Sequence, residues 1–163
     1  MRGWLRFLAA LLCLAATTAS AVETKVIKDI SYKDDVISQT PYEQERCKLD
    51  LTVPVGAKGF ATCVYFYGGG LKKGSKDLAS EYCSEIRKSL TQAGVAVVTP
   101  DYRLSPKAKY PAYVDDAAAA FAWTVKHIAE HGGDPRKVFI GGHSAGGYLA
   151  LLVAFDPERL KPH

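Results

Sequence analysis

Apolar and polar residues alternate over 24–32 (TKVIKDISY) and again over 47–53 (CKLDLTV), the period-two pattern of strands with one face in solvent. The stretch between them, 33–46, is polar and reads as a connection. The pattern then changes. Residues 61–67 (ATCVYFY) are almost continuously apolar, β-branched or aromatic, which predicts a strand buried on both faces. A glycine-rich loop, GGGLKKGSKD, follows over 68–77. Beyond it Leu78, Tyr82, Ile86 and Leu90 recur at helical spacing, and Gly94 stands where that helix should stop. Residues 95–102 (VAVVTPDY) predict another buried strand. Pro111 suits a first helical turn, and Val114, Ala117, Ala118, Phe121, Val125 and Ile128 form an apolar stripe behind it. Gly132 and Gly133 end that helix. Residues 137–142 (KVFIGG) are the next strand, and Leu149–Phe155 belongs to one more helix, which Pro157 closes.

Two hairpin-type strands are thus followed by strand–helix units. That order predicts an α/β fold, a mostly parallel sheet with helices on both faces, in a single domain over 22–163. A chain of 163 residues with 48% hydrophobic and 23% charged residues suits this reading. The net charge of +4 is spread along the sequence, with no basic block interleaved with aromatics, so no nucleic-acid surface is expected.

The first residues are set apart from the fold. Arg2 and Arg6, the apolar run Leu5–Ala16 and the small residues Ala19-Ser20-Ala21 have the layout of a signal peptide over 1–21, cut after Ala21. The run is too short to span a bilayer, so no membrane span should remain after cleavage, and a secreted or periplasmic location is expected. An uncleaved N-terminal anchor is the alternative. Small residues do not precede Cys13 as a lipoprotein signal would require. Cys47, Cys63 and Cys83 remain, an odd number; Cys63 reads as a small core residue, and a Cys47–Cys83 bridge stays open.

The chemistry concentrates at Gly142-His143-Ser144-Ala145-Gly146, a G-x-S-x-G pentapeptide between a buried strand and an apolar helix. In that setting the motif forms a nucleophile elbow, a turn so tight that the serine's neighbours must be nearly without side chains. The helix start beyond it directs backbone N–H groups at developing negative charge. A serine attacking an acyl carbon also needs donors for the oxyanion. Tyr67-Gly68-Gly69-Gly70 follows the 61–67 strand, and loops at the carboxyl ends of such strands gather beside the elbow. Taken alone, either feature could be a plain glycine-rich turn; together they point to acyl transfer.

With VYFYGGGLKKGSKD, VVTPDYRLSP and YPAYVDDAAAAFAWTVKHIAEHGGDPRKVFIGGHSAGGYLALL on the page, the chain from about Lys48 onward resembles the hormone-sensitive-lipase-type carboxylesterases of the α/β-hydrolase fold. Secreted feruloyl- and acetyl-esterase-like enzymes and kynurenine formamidases are among the enzymes it looks like. The resemblance implies a serine carboxylic-ester hydrolase working through an acyl-enzyme on a small-molecule ester, with no cofactor and no metal. It makes Ser144 the nucleophile, and Gly69, Gly70 and Ala145 the sources of oxyanion-hole amides. The family usually has histidine where this chain has Tyr67, a change expected to reshape the loop rather than abolish the hole. Asp101, Tyr102 and Arg103 match a stretch whose role in the family looks structural.

A catalytic serine needs a histidine to take its proton and a carboxylate to orient that histidine, in the chain order Ser, acid, His. After Ser144 the sequence offers Asp156, Glu158 and His163, with Asp156 at the far end of the helix and His163 at the last position. His143 adjoins Ser144 but should point elsewhere. The expectation is an N-terminal part of the fold, lacking its C-terminal strands and inactive alone. The alternative is a non-catalytic α/β-hydrolase-like binding or assembly protein. His127-Ile128-Ala129-Glu130-His131 also fits the zinc pattern H-x-x-E-H, but Gly132-Gly133 would end the helix at once, and last-turn histidines are favoured by the helix dipole.

Overall fold

The structure, a computed structural model, describes residues 21–33, 39–77 and 81–163, with 81–83 described by backbone alone. The signal peptide expected over 1–21, apart from Ala21, and the side chains of Leu78, Tyr82 and Cys83 lie outside the described residues.

The described residues form one sheet with helices on both faces. In chain order they are β1 (Thr24–Ser31), α1 (Pro41–Arg46), β2 (Lys48–Pro54), β3 (Phe60–Phe66), α2 (Glu81–Gln92), β4 (Ala96–Pro100), α3 (Ala112–His127), β5 (Gly133–Gly142) and α4 (Ala145–Phe155), with 3-10 turns after α3 and α4. The strand order across the sheet is β1-β2-β4-β3-β5. The β3–β4 and β3–β5 ladders are parallel and the two ladders of β2 are antiparallel, so β2 alone runs against the others.

That order locates the site. From β3 the chain crosses one way along the sheet, through α2 to β4. From β4 it crosses back past β3, through α3 to β5. Two crossovers in opposite directions make the carboxyl ends of β3 and β5 a topological switch point, where open α/β sheets bind their ligands. Phe66 and Gly142 are register partners there, so the glycine loop and the serine turn leave the sheet side by side.

The core follows the predicted strands. Leu49, Leu51, Val64, Phe66, Val97 and Val98 are almost completely buried, as are Val114, Ala117, Ala118 and Ala120 on α3 and Leu149 and Val153 on α4. Each large apolar side chain so buried contributes roughly 1.5–3 kcal/mol.

Several expectations shift. β5 begins at Gly133 rather than 137, because Gly133 pairs with Phe60 ahead of an irregularity in the ladder. The polar connection over 33–46 contains α1, whose start is fixed by a capping box: Thr40 Oγ1 accepts from the Glu43 N–H, and the Glu43 carboxylate accepts from the Thr40 N–H. β2 alternates in sequence but not in exposure, since Asp50 and Thr52 are buried too. Asp50 is satisfied there: its Oδ1 accepts from Lys76 Nζ at 2.8 Å and from the Asp29 N–H at 2.9 Å. Asp29 itself takes a positive φ of 59° between the two paired segments of β1, and its carboxylate also reaches Lys76.

Cys47 is a buried free thiol, its pKa pushed up to about 12 by burial first and by Asp116 next; the Cys83 side chain of the expected pair lies outside the described residues. Cys63 is a free thiol raised to about 11 by burial. Among the described residues no helix is long and apolar enough to cross a membrane.

Candidate active site

Ser144 occupies the junction of β5 and α4 with φ 53° and ψ −118°, a conformation that side chains at this position rarely hold. The turn forces it. The His143 N–H donates to the Phe66 carbonyl at 3.1 Å, the Gly146 N–H to the His143 carbonyl at 2.8 Å, and the Tyr148 N–H to the Ser144 carbonyl at 3.1 Å. A Cβ on Gly142 would overlap the Gly146 carbonyl, and one on Gly146 would overlap the carbonyls of Phe66 and Tyr67. The two motif glycines are therefore required by close approach of backbone to backbone.

A serine before a helix ordinarily spends its hydroxyl capping that helix. Ser144 makes no such bond, and the residue is exposed. Its hydroxyl is left for chemistry. Ala145, the first residue of α4, has an N–H without an intrahelical acceptor, as the oxyanion role requires.

The glycine loop lies against the elbow, through Gly68. A Cβ there would stand 3.0 Å from His143 Nδ1 and the His143 carbonyl, and 3.2 Å from Ser144 Cβ. Gly69, at φ 125°, is pressed onto the Lys73 carbonyl, and its own carbonyl accepts from the N–H groups of Lys72 and Lys73 at 3.1 and 3.2 Å. Gly70, at φ 63°, faces open space on its Cβ side. Sequence reasoning singled out Gly69 and Gly70; Gly68 is the one whose missing side chain admits the serine, a distinction that only the packed loop reveals.

Behind the loop stands a ring of polar partners. The Tyr67 ring is buried and stacks on Tyr102 with centroids 4.6 Å apart, and the Tyr102 hydroxyl donates to the Tyr67 carbonyl at 2.8 Å. Arg46 Nη2 donates to Tyr67 Oη at 2.6 Å, and the Lys76 N–H donates to Asp101 Oδ1 at 2.6 Å. Burial raises the Asp101 carboxyl, opposed by the Arg46 charge and the Lys76 N–H. Asp101 is thus committed to holding the loop, the structural role expected for it. Arg103 is committed likewise. Its Nε and Nη2 grip the two oxygens of fully buried Asp116, both at 2.7 Å, and this pairing raises the guanidinium above its ordinary value. Asp116 went unassigned in the sequence; a carboxylate inside the apolar stripe of α3 was the available signal.

The other candidates lie apart. Asp156 caps the far end of α4, and His163 lies beyond it beside Phe121, Val125 and Leu160 of a shallow apolar cavity. The H-x-x-E-H segment does not present one helical face, because α3 stops at His127 and a 3-10 turn carries Glu130 and His131. His127 stacks on Trp123 and pairs through Nδ1 with Glu130 at 2.9 Å.

A sequence profile of the alpha/beta hydrolase fold matches residues 63–161. Carboxylesterase NlhH of Mycobacterium tuberculosis is 38% identical over 62% of this chain and 31% of that protein. Tuliposide A-converting enzyme 2 of Tulipa gesneriana is 33% identical over 80% of this chain and 36% of that protein. Among solved structures, esterase B from Lactobacillus rhamnosis superimposes with a TM-score of 0.67 at 28% identity, over 80% of this chain and 39% of that one. The chain therefore spans between 31% and 39% of the length of these relatives. With the strand–turn–helix at Ser144, the switch point beside it and the profile match over most of its described length, the chain belongs to the α/β-hydrolase fold family.

Proposed function

We propose that the chain carries the nucleophile and oxyanion-binding part of a serine carboxylic-ester hydrolase acting on a small-molecule ester. The observation that carries this reading is Ser144, held at a strained positive φ with its hydroxyl unspent beside a glycine loop. Its Oγ attacks the ester carbonyl carbon, the bond from that carbon to the alkoxy oxygen breaks, the alcohol leaves, and the acyl group stays on the serine until water removes it. The tetrahedral oxyanion is met by the Ala145 amide and by amides of the 68–70 loop. The proton of Ser144 needs a histidine to take it and hand it to the departing alcohol; Asp156 and His163 stand at the other end of α4, away from the serine. The relatives, named as carboxylesterases, lipases and a tuliposide-converting enzyme, support the ester class.

The test is a fluorophosphonate probe together with a short-chain nitrophenyl ester. In a chain extended to the length of the relatives, labelling and turnover are expected, and Ser144→Ala removes both. Residues 22–163 alone are expected to show no turnover above their Ser144→Ala control. Hydrolysis that survives Ser144→Ala in the extended chain would mean that the serine is not the nucleophile. The distance of Asp156 and His163 from Ser144 favours a second reading, a non-catalytic binding protein; an extended chain that neither labels nor hydrolyses would establish it. We also propose export to the periplasm or medium, supported by the basic, apolar and small-residue order of 1–21; a mature protein starting at Val22 is the expected mass-spectrometric result.

A further inference from the structure

The loop beside Ser144 contains several glycines and three residues at positive φ in succession, Gly69, Gly70 and Leu71. Such a segment has many conformations open to it, and an oxyanion hole tolerates few. Something must select one. Lys76 anchors the far end to the sheet through Asp50 and Asp29. Burial works against its charge, but the two carboxylates outweigh it and the ammonium is raised. That anchor leaves residues 68–74 still to be fixed.

Arg46, the last residue of α1, reaches that part. Nη2 donates to Tyr67 Oη at 2.6 Å, to the Gly74 carbonyl at 3.1 Å and to Asp101 Oδ1 at 3.3 Å, and Nε donates to the Tyr102 carbonyl at 3.3 Å. Gly74 in turn lies on the Tyr67 ring so closely that a Cβ would stand 2.6 Å from ring carbons. The guanidinium therefore touches the residue where the loop leaves β3, the residue where it returns, and the end of β4.

We infer that Arg46 is a positioning residue for the glycine loop: its guanidinium closes the segment from Tyr67 to Gly74 into a ring that holds the backbone amides beside Ser144. The inference rests on the reading of this loop as oxyanion-binding. It also gives Tyr67 a role. A phenol at this position offers an acceptor at the outer end of a long flat ring, where Arg46 can reach it, and the ring stacks on Tyr102 at the same time. A lysine ammonium at position 46 has three N–H groups on one nitrogen and no planar fork, so it could not serve acceptors from four residues at once.

The experiment compares amide hydrogen exchange of residues 68–76 with that of β4 in the wild-type chain, Arg46→Ala, Arg46→Lys and Tyr67→Phe. Loss of the clamp is expected to speed loop exchange about tenfold or more while β4 stays within about twofold, because the loop opens locally. Tyr67→Phe, which keeps the stacked ring, gives a smaller rise in the same residues. Millimolar methylguanidine restores loop protection to Arg46→Ala. In the extended, active chain, Arg46→Ala lowers kcat about tenfold at nearly constant KM, since a misplaced donor weakens only the transition state. Loop exchange at the wild-type rate, or a rise matched in β4, overturns the inference. The exchange measurement needs no turnover, so its result is independent of whether Ser144→Ala removes hydrolysis.

Discussion

The two sides of the sheet finish differently. On the β1-β2-β4 side, charges are buried and paired: Asp116 with Arg103 and Lys33, Asp50 with Lys76, Asp101 with Arg46. On the β5 side no described strand pairs with the outer edge, and Phe139, Leu151 and Phe155 are 60%, 59% and 80% exposed. α4, AGGYLALLVAF, is apolar on every face, the composition of a buried helix rather than a surface one. Ser144 stands on the seam. Its loop is held by the polar, finished side, and its own helix belongs to the apolar, open side. Positioning of the glycine loop and placement of the serine are thus supported by different physics, ion pairs in one case and backbone packing in the other.

The largest blow to the finished side is Asp116→Ala. It strands the Arg103 guanidinium, 18% exposed, without its two-point partner, and also takes an acceptor from Lys33 at 3.1 Å. Breaking one half of a buried pair costs roughly 3–5 kcal/mol, a large part of the roughly 5–15 kcal/mol that holds a domain together. Urea denaturation should show the midpoint falling steeply, and Asp116→Asn, which keeps acceptor and shape, should fall less. A loss below about 1 kcal/mol would place the network among surface ion pairs.

Next in size is Gly146→Ala, aimed at the seam. Its methyl would overlap the Phe66 and Tyr67 carbonyls, whereas a methyl on Gly147 meets nothing closer than the Gly142 carbonyl at 3.3 Å. Overpacking of this kind costs roughly 1–3 kcal/mol, and α4 must move to relieve it. Gly146→Ala should therefore reduce both stability and Ser144 labelling, and Gly147→Ala should do neither to the same degree. Within the loop the same logic ranks Gly68→Ala above Gly70→Ala for loss of labelling, because a Cβ at Gly68 meets Ser144 and one at Gly70 meets solvent.

What the sequence disclosed follows the same division. Period and glycine placement exposed the strands, the crossover helices and the elbow, because each is written in neighbouring residues. Ser144 was legible for that reason. Arg46, Lys76 and Asp116 were not, since each charge acquires its meaning from partners at least a dozen residues away that only the fold brings near. α1 stood between the two cases. Its capping box, Thr40 to Glu43, was readable, but six residues inside a polar run give no apolar period to draw attention to it.

Glu43 offers a milder perturbation of the finished side. Its carboxylate accepts from Lys33 Nζ at 2.6 Å and lies 3.1 Å from Arg103 Nη1 while completing the cap. Lys33 first, and the Thr40 contacts after it, outweigh burial and lower the carboxyl from 4.5 to about 2. A lowered acid stabilises the folded state above its unfolded value, and that contribution fades as pH falls from about 4.5 towards 2. Glu43→Gln keeps an acceptor for the Thr40 N–H but loses the charge facing Lys33 and Arg103, and should cost about 1 kcal/mol at neutral pH. The difference between the two chains should shrink through this acid window. A difference that grows on acidification would reverse the assignment.

The smallest expected effect on stability tests the open side, and it separates folding from association. Leu151 and Phe155 lie one turn apart on α4 and are mostly in solvent, so little of either side chain packs in the core. Glutamine is a good helix former, and Leu151→Gln with Phe155→Gln should leave the urea midpoint within about 0.5 kcal/mol of wild type, as surface changes do. Association is another matter. Contiguous exposed apolar side chains beside an unpaired strand edge draw chains together. Light scattering should find residues 22–163 self-associated and the double variant shifted towards monomer at the same concentration. A further Phe139→Lys, which puts a charge on the edge strand itself, should extend the shift. If the glutamine pair instead costs several kcal/mol, these side chains are packed in solution and the β5 side is as finished as the other. If stability and association are both untouched, the face is apolar without being adhesive, and the contrast between the two sides reduces to their charge networks.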